Sequence, residues 1–231
     1  MRTAVARITH LHYAWIVVGV TFVTLLTSQA VRVTPGLLVI PLEAEFGWDR
    51  ASISLAVAIS LIAFGLGGPL GGGLIDRFGP RRVIIAGCAL IAAGIVGLLS
   101  VRELWQFHLI WGLAIGFGTG ASGSVVTGVI AHRWFRKHQG LVVGALGGAV
   151  SAGQLVFIPT VASVMDASGW RAGMTVLAVA LVVVLVPLFF LMRDRPEDVG
   201  VRPYGEGAAS QARERELDTR GTPPRSALGT R

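Results

Sequence analysis

The chain has 231 residues, of which 53% are hydrophobic and only 14% charged, with a mean hydropathy of +0.68. Soluble domains carry about a quarter charged residues, so this composition excludes a water-soluble globule. The net charge of +7 sits in short clusters and in the tail without a basic aromatic surface, which excludes a nucleic-acid binder, and one cysteine, Cys88, excludes a disulfide framework or a Cys-rich metal site.

A helix crossing about 30 Å of hydrocarbon needs about 20 apolar residues. Residues 1–12 form a short amino terminus with Arg2 and Arg7, and the first uncharged stretch runs from Tyr13 to Val31. It is too long for a signal-peptide core and is followed by Arg32 rather than a cleavage site. The helix is predicted to continue past Arg32 toward Ile40, bent at Pro35-Gly36. Thr21, Thr24, Ser28 and Arg32 fall on one face of it, a polar stripe ending in a cation. Placing Arg at a helix centre costs about 2.5 to 3.5 kcal/mol. Two roles are open for Arg32: gripping a carboxylate solute with paired hydrogen bonds in a water-filled pathway, or snorkelling outward and pairing with Glu43 or Glu45.

The second span is Ala51 to Ile75, the third Val83 to Val101, where Cys88 is expected to pack. The fourth, Leu104 to Ala131, carries Gly112, Gly116, Gly120, Ser124 and Gly128 in one stripe; the fifth, Gly140 to Met165, carries Gly140, Gly144, Gly148 and Ala152. Small residues four apart let helix backbones approach in lipid, so these stripes are predicted packing faces, static or sliding. Ser151 with Gln154, and Thr119 with Ser122, either line a cavity or bond between helices, and His108 is expected at an interface. The sixth span is Ala172 to Met192, and the mixed polar tail, 193–231, is expected to be disordered linker after 205.

Arginine and lysine set the orientation. Arg2, Arg7, Arg77, Arg81, Arg82, Arg133, Arg136, Lys137 and eight tail arginines fall on one side, against Arg50, Arg102 and Arg171 on the other. Both termini are therefore expected in the cytoplasm. Trp15, Trp48, Trp105, Trp134 and Trp170 fall near span ends, as an interfacial belt would. No Asp or Glu lies within a span, and no intramembrane Ser/His pair or metal-ligand cluster is seen, so neither an enzyme nor a cofactor is expected.

The loop from Gly72 to Arg82 reads Gly-Gly-Leu-Ile-Asp-Arg-Phe-Gly-Pro-Arg-Arg. Asp76 can accept from helix amino-terminal N–H groups or pair with neighbouring arginines, while Gly79 permits a tight turn. The stretch resembles the loop between helices two and three of the major facilitator superfamily: Gly72, Leu74, Asp76, Arg77 and Gly79 match, Arg81 and Arg82 supply the basic end, and Pro80 departs from the pattern. Residues 46–51, Gly140 with Gly144, Gly169-Trp170-Arg171 and residues 195–200 are similar to the monocarboxylate and oxalate/formate porter branch, as is Arg32 near the end of helix one. An arginine many members carry in helix four is absent, with Trp111 and Gly112 in its neighbourhood, and a Gly-Pro motif of helix five is missing, which argues against antiport of drugs or protons.

The resemblance implies an all-α membrane protein of twelve helices in two halves, each made of two inverted three-helix repeats, with substrate at the midplane. This chain would be the amino-terminal half, in a bacterial inner membrane. Its partners would be a small organic anion, a proton or counter-anion for coupling, the bilayer and a carboxy-terminal six-helix half. Arg32, Ser28, Thr24, Gln154 and Ser151 are the candidate binding residues. The alternative is a non-transporting six-helix membrane protein or truncated gene product acting through helix contacts.

Overall fold

The computed structural model describes residues 12–205. Arg2, Arg7 and the tail from 206 onward, with the linker expected there, lie outside the described residues. Within them the chain is all helical and contains six helices long and apolar enough to cross a membrane: Tyr13–Val33, Arg50–Phe78, Pro80–Leu98, Leu104–Trp134, Gln139–Ser168 and Trp170–Leu191.

The first span is helix α1 (Tyr13–Ala30), continued by a tight 3-10 turn over Val31–Val33 and then by α2 (Pro35–Phe46). The bend expected at Pro35-Gly36 therefore lies just upstream. Proline has no N–H to give and its fixed φ suits the first helical turn, so Pro35 starts α2 and the irregular turn precedes it. Gly47, at φ 69°, closes α2 in the left-handed conformation that glycine adopts without a Cβ penalty. Asp49 then caps α3 (Arg50–Phe78), accepting from the Ser52 backbone at 3.1 Å and its hydroxyl at 2.6 Å. These bonds hold the Asp49 carboxyl below its ordinary range.

Helix α4 (Pro80–Leu98) follows after the single residue Gly79. The fourth span is not one continuous α-helix. It consists of α5 (Leu104–Phe107), a widened π-helical stretch over His108–Ile115, α6 (Gly116–Ala121), a break at Ser122-Gly123 and α7 (Ser124–Trp134). His108 Nε2 lies 2.8 Å from the Ser52 carbonyl oxygen of α3. Helices α8 (Gln139–Ser168) and α9 (Trp170–Leu191) complete the bundle, and Arg193 to Gly205 folds back across its basic end. There the Tyr204 N–H donates to the Trp134 carbonyl at 2.8 Å and the Arg136 N–H to the Tyr204 carbonyl at 2.9 Å.

Glycines set how closely the helices approach. A Cβ on Gly116 would stand 2.8 Å from the Ser60 backbone, one on Gly112 2.8 Å from Ile59, and one on Gly120 would run into the Phe64 carbonyl. From Gly112 to Gly120 the stripe of span four thus lies on α3, whose Gly67 and Gly71 reciprocate against Gly120 and Ala121, whereas a Cβ on Gly128 would meet nothing within 4 Å among the described residues. Among the described residues the stripe of span five does not meet a neighbour: a Cβ at Gly140, Gly144 or Gly148 would meet nothing within 4 Å. Contact between α8 and α1 instead passes through Gly153, where a Cβ would overlap the Leu26 carbonyl oxygen. Spacing identified small residues, but Gly153 lies on the side of α8 turned to α1 and the other three on the open side.

Two apolar clusters fill the bundle. One, with Leu38, Ile53, Trp111, Trp170 and Met174, lies toward the end holding Gly47 and Gly169. The other, with Val17, Ile84, Val126, Trp134 and Leu188, lies toward the basic end. Large apolar side chains also cover the outside, among them Leu61, Ile62 and Leu66 on α3, Leu155 on α8 and Val183 and Phe190 on α9. Exposed patches of that extent are rare on soluble monomers and are what a hydrocarbon surround requires.

Candidate functional site

Arg32 sits in the 3-10 turn between α1 and α2. Its guanidinium carbon lies 3.7 Å from the centre of the Phe64 ring of α3, a cation–π contact. It borders a cavity of about 30 Å³ shared with Ser60, Leu61, Trp111, Gly116 and Thr119. That is about one water molecule's share of liquid volume. The cavity lies where span four is π-helical, and such widened turns recur at functional sites because they displace side chains and free carbonyls.

Both carboxylates that could have neutralised Arg32 are otherwise engaged. Glu43 pairs with Arg50 at 3.0 Å, and Glu45 pairs with Arg171 at 2.7 Å. The Trp170 indole N–H also donates to Glu45, at 2.6 Å, and together with Arg171 it holds the Glu45 carboxyl below its ordinary range. Among the described residues Arg32 has no ion pair, and no other residue donates to or accepts from it.

The polar residues around the cavity are already bonded locally. Ser60 donates to the Val57 carbonyl at 2.7 Å, and Thr119 to the carbonyls of Ile115 and Gly116 at 2.9 Å each. Gln29, buried on α1, donates from Nε2 to the Thr119 carbonyl at 3.1 Å, close to the break in span four. The guanidinium is thus the group with donors to spare.

The stripe expected to line a water-filled pathway divides. Thr21, Thr24 and Ser28 are buried. Thr21 and Thr24 donate to carbonyls one turn back, at 2.8 and 2.7 Å, as hydroxyls do in a helix without water. The Ser28 hydroxyl is buried and has no partner among the described residues. Ser151 is exposed and Gln154 half-buried on α8, and neither borders the Arg32 cavity. Phe64, Ser60, Trp111 and Gln29 are the neighbours that the reading of single faces missed. Only Gln29 gave a signal, as an amide at membrane depth that needs a partner.

At the basic end, Gly79 turns at φ 85° between α3 and α4. The carboxylate at the amino terminus of α4 is Asp194, which accepts from the Arg81 backbone N–H at 2.8 Å. Asp76, for which that role or an arginine partner was open, is exposed and without a hydrogen bond or ion pair among the described residues. It lies in the last turn of α3, where the helix dipole disfavours an anion, whereas Asp194 meets the positive end of α4. Arg81 donates to the Phe189 carbonyl at 2.6 Å, Arg77 lies 5.3 Å from the Phe78 ring, and Arg82 is exposed. Gly72 is half-buried, with Val125 3.6 Å from where a Cβ would stand.

This arrangement predicts unequal effects of removing the two carboxylates. Asp194→Ala should lose about 1 kcal/mol, as loss of a helix cap does, and lower the thermal unfolding midpoint in detergent. Asp76→Ala should leave the midpoint within experimental scatter. The reverse order would return the structural role to Asp76.

Comparison with known proteins gives one consistent answer. The family model of the Major Facilitator Superfamily matches residues 20–228. An MFS-type transporter of Bacillus subtilis, YcxA, is 30% identical over 79% of this chain and 45% of its own length. The oxalate:formate antiporter of Oxalobacter formigenes is 26% identical over 66% of this chain and 36% of its own. A D-xylose-proton symporter of known structure superimposes with a TM-score of 0.64 at 20% identity, over 90% of this chain and 53% of that one. The chain spans about half the length of that symporter and less than half of the two relatives. Six apolar helices in half of that fold, with the loop motif between the second and third, have one reading: the chain belongs to the Major Facilitator Superfamily.

Proposed function

We propose that this chain is the amino-terminal half of a secondary carrier for small organic anions, working by alternating access with a carboxy-terminal six-helix half. The observation that carries this reading is Arg32: a guanidinium held against Phe64 at a cavity, with Glu43 and Glu45 both paired elsewhere. A cation that has already lost part of its hydration and has no internal counter-charge suits an anion as partner. Oxalate and formate, named for one relative, and the monocarboxylates named for another, 26% identical over 78% of this chain, are carboxylates. The small cavity fits the reading, because in this fold the substrate lies between halves and the second half would supply the opposite wall. A proton or a counter-anion would couple the cycle. The test is uptake by proteoliposomes holding this chain joined to a carboxy-terminal half: carboxylates should be taken up and compete with one another. Uptake of neutral sugars with no competition from carboxylates would overturn the substrate class.

The same reading puts the basic end in the cytoplasm of a bacterial inner membrane. Cysteines replacing Arg82 or Lys137 should react with an impermeant maleimide only after cells are opened, and those replacing Arg102 or Ser168 in intact cells. The native Cys88 is buried and should stay silent. Labelling of position 102 only after lysis would invert the assignment.

A further inference from the structure

We infer that the groove between α3, α4 and α6 at the basic end is a binding site for one anionic phospholipid, with an acyl chain in the groove and the headgroup phosphate on Arg82. The groove encloses about 320 Å³, within the range of about 300 to 1,000 Å³ of small-molecule sites. Its walls are Leu74 and Phe78 of α3, Leu90 of α4 and Phe117 of α6. Its floor is made by residues with little or no side chain. A Cβ on Gly87 would stand 3.1 Å from the Gly118 carbonyl, and one on Gly118 would stand 2.8 Å from Ile91, so α4 and α6 meet almost backbone to backbone below it. Ala86, exposed, leaves the space above them empty.

Arg82 is the one charged residue lining the groove. Among the described residues it makes no hydrogen bond or ion pair, whereas its neighbour Arg81 is held by the Phe189 carbonyl. Arg77 lies in the last turn of α3 with its guanidinium near the Phe78 ring, and Asp76 beside it is the nearest carboxylate in sequence. Arg82 therefore stands at the groove as a cation without a partner among the described residues, at the level where Lys and Arg meet lipid headgroups.

The dimensions choose the occupant. From Arg82 to Leu90 the groove follows about 12 Å of helix, which gives a mean section of roughly 27 Å². A single hydrocarbon chain fits a groove of that section, and the exposed Arg82 at its mouth suits an anionic headgroup.

The test uses this chain in phosphatidylcholine vesicles with a trace of phosphatidylglycerol bearing a photoreactive acyl chain, read by peptide mass spectrometry. A phosphatidylcholine probe with the same acyl chain runs in parallel. Labelling of the peptides holding Leu74, Ala86, Leu90 and Phe117 should be at least about fivefold greater with the glycerol headgroup. Unlabelled phosphatidylglycerol should compete and inorganic phosphate should not. Arg82→Gln should erase the headgroup preference, and Ala86→Trp, which fills the groove from an exposed position, should erase labelling by both probes. Labelling near Trp105 and Leu109, which line a separate groove at the other end, should be unchanged in both variants and reports that the fold is intact. Equal labelling by the two probes in the wild type, a preference that survives Arg82→Gln, or competition by phosphate would each overturn the inference.

Discussion

Gly153→Val is expected to separate α1 from α8 and to be among the most destabilising single substitutions in the bundle. The Cβ alone would overlap the Leu26 carbonyl oxygen, a backbone atom in the middle of α1 that cannot turn aside as a side chain can. Overpacking usually costs about 1 to 3 kcal/mol, and a clash with helix backbone belongs at the upper end. Gly148→Val, five residues earlier on the same helix, provides the control. It carries the same change in helix propensity but meets nothing within 4 Å, so its effect should stay within about 0.5 kcal/mol, as for ordinary surface positions. The measurement is the apparent unfolding temperature of the purified chain in detergent, with monodispersity after heating as a second readout. Equal losses in the two variants would mean that propensity and not the α1 contact sets the cost.

That pair of glycines also shows what was legible in the sequence and what was not. The number of the spans could be read because hydrocarbon thickness acts on every crossing segment alike; the expected Leu104 start of span four is the observed one, whereas span three, expected over Val83 to Val101, runs over Pro80–Leu98. Spacing in steps of four found the Gly112, Gly116 and Gly120 stripe, and there a partner helix covers it. The same spacing in span five picked the uncovered side, because periodicity reports which residues share a face and carries no information about which face has a neighbour. Prolines inside the spans do not mark the irregularities either. Pro41, Pro69, Pro159 and Pro187 all lie inside continuous helices. Beyond the turn before Pro35, the irregular helix is span four, which contains no proline. Its departures accompany close glycine contacts with α3 and α4, a tertiary cause that no local propensity encodes.

The candidate site was legible in one residue. Arg32 was conspicuous because a cation at membrane depth is costly. Its surroundings were not, since Phe64, Ser60 and Trp111 come from two other spans and meet it only once α3 and the widened stretch of span four are packed. The loop motif located the turn at Gly79 and left Asp76 two roles, helix-end acceptor or partner of an arginine; the carboxylate that meets α4 is Asp194, 113 residues from Arg81 in sequence and outside the motif.

Arg32 substitutions should have the largest functional effect in a carrier completed by its second half. A charge-assisted hydrogen bond contributes about 1.5 to 3 kcal/mol, so Arg32→Gln should weaken carboxylate affinity by about ten- to a hundredfold. Arg32→Lys keeps the charge but loses the planar pair of donors and the guanidinium's contact with the Phe64 ring, and it should recover only part of the loss. Phe64→Leu tests the support separately. A cation–π contact is worth about 0.5 to 2 kcal/mol, so this variant should weaken affinity by about three- to thirtyfold without changing the charge at the site. The measurement is uptake of radiolabelled formate, oxalate and lactate at equal protein level in proteoliposomes, with apparent affinity and maximal rate resolved. If the guanidinium grips the anion, the order of affinities is wild type, then the lysine variant, then glutamine. If Arg32 only anchors α2 at an interface, lysine matches wild type and the affinity in the glutamine variant stays within twofold, which would remove the anion-binding role and leave Phe64 as a packing residue.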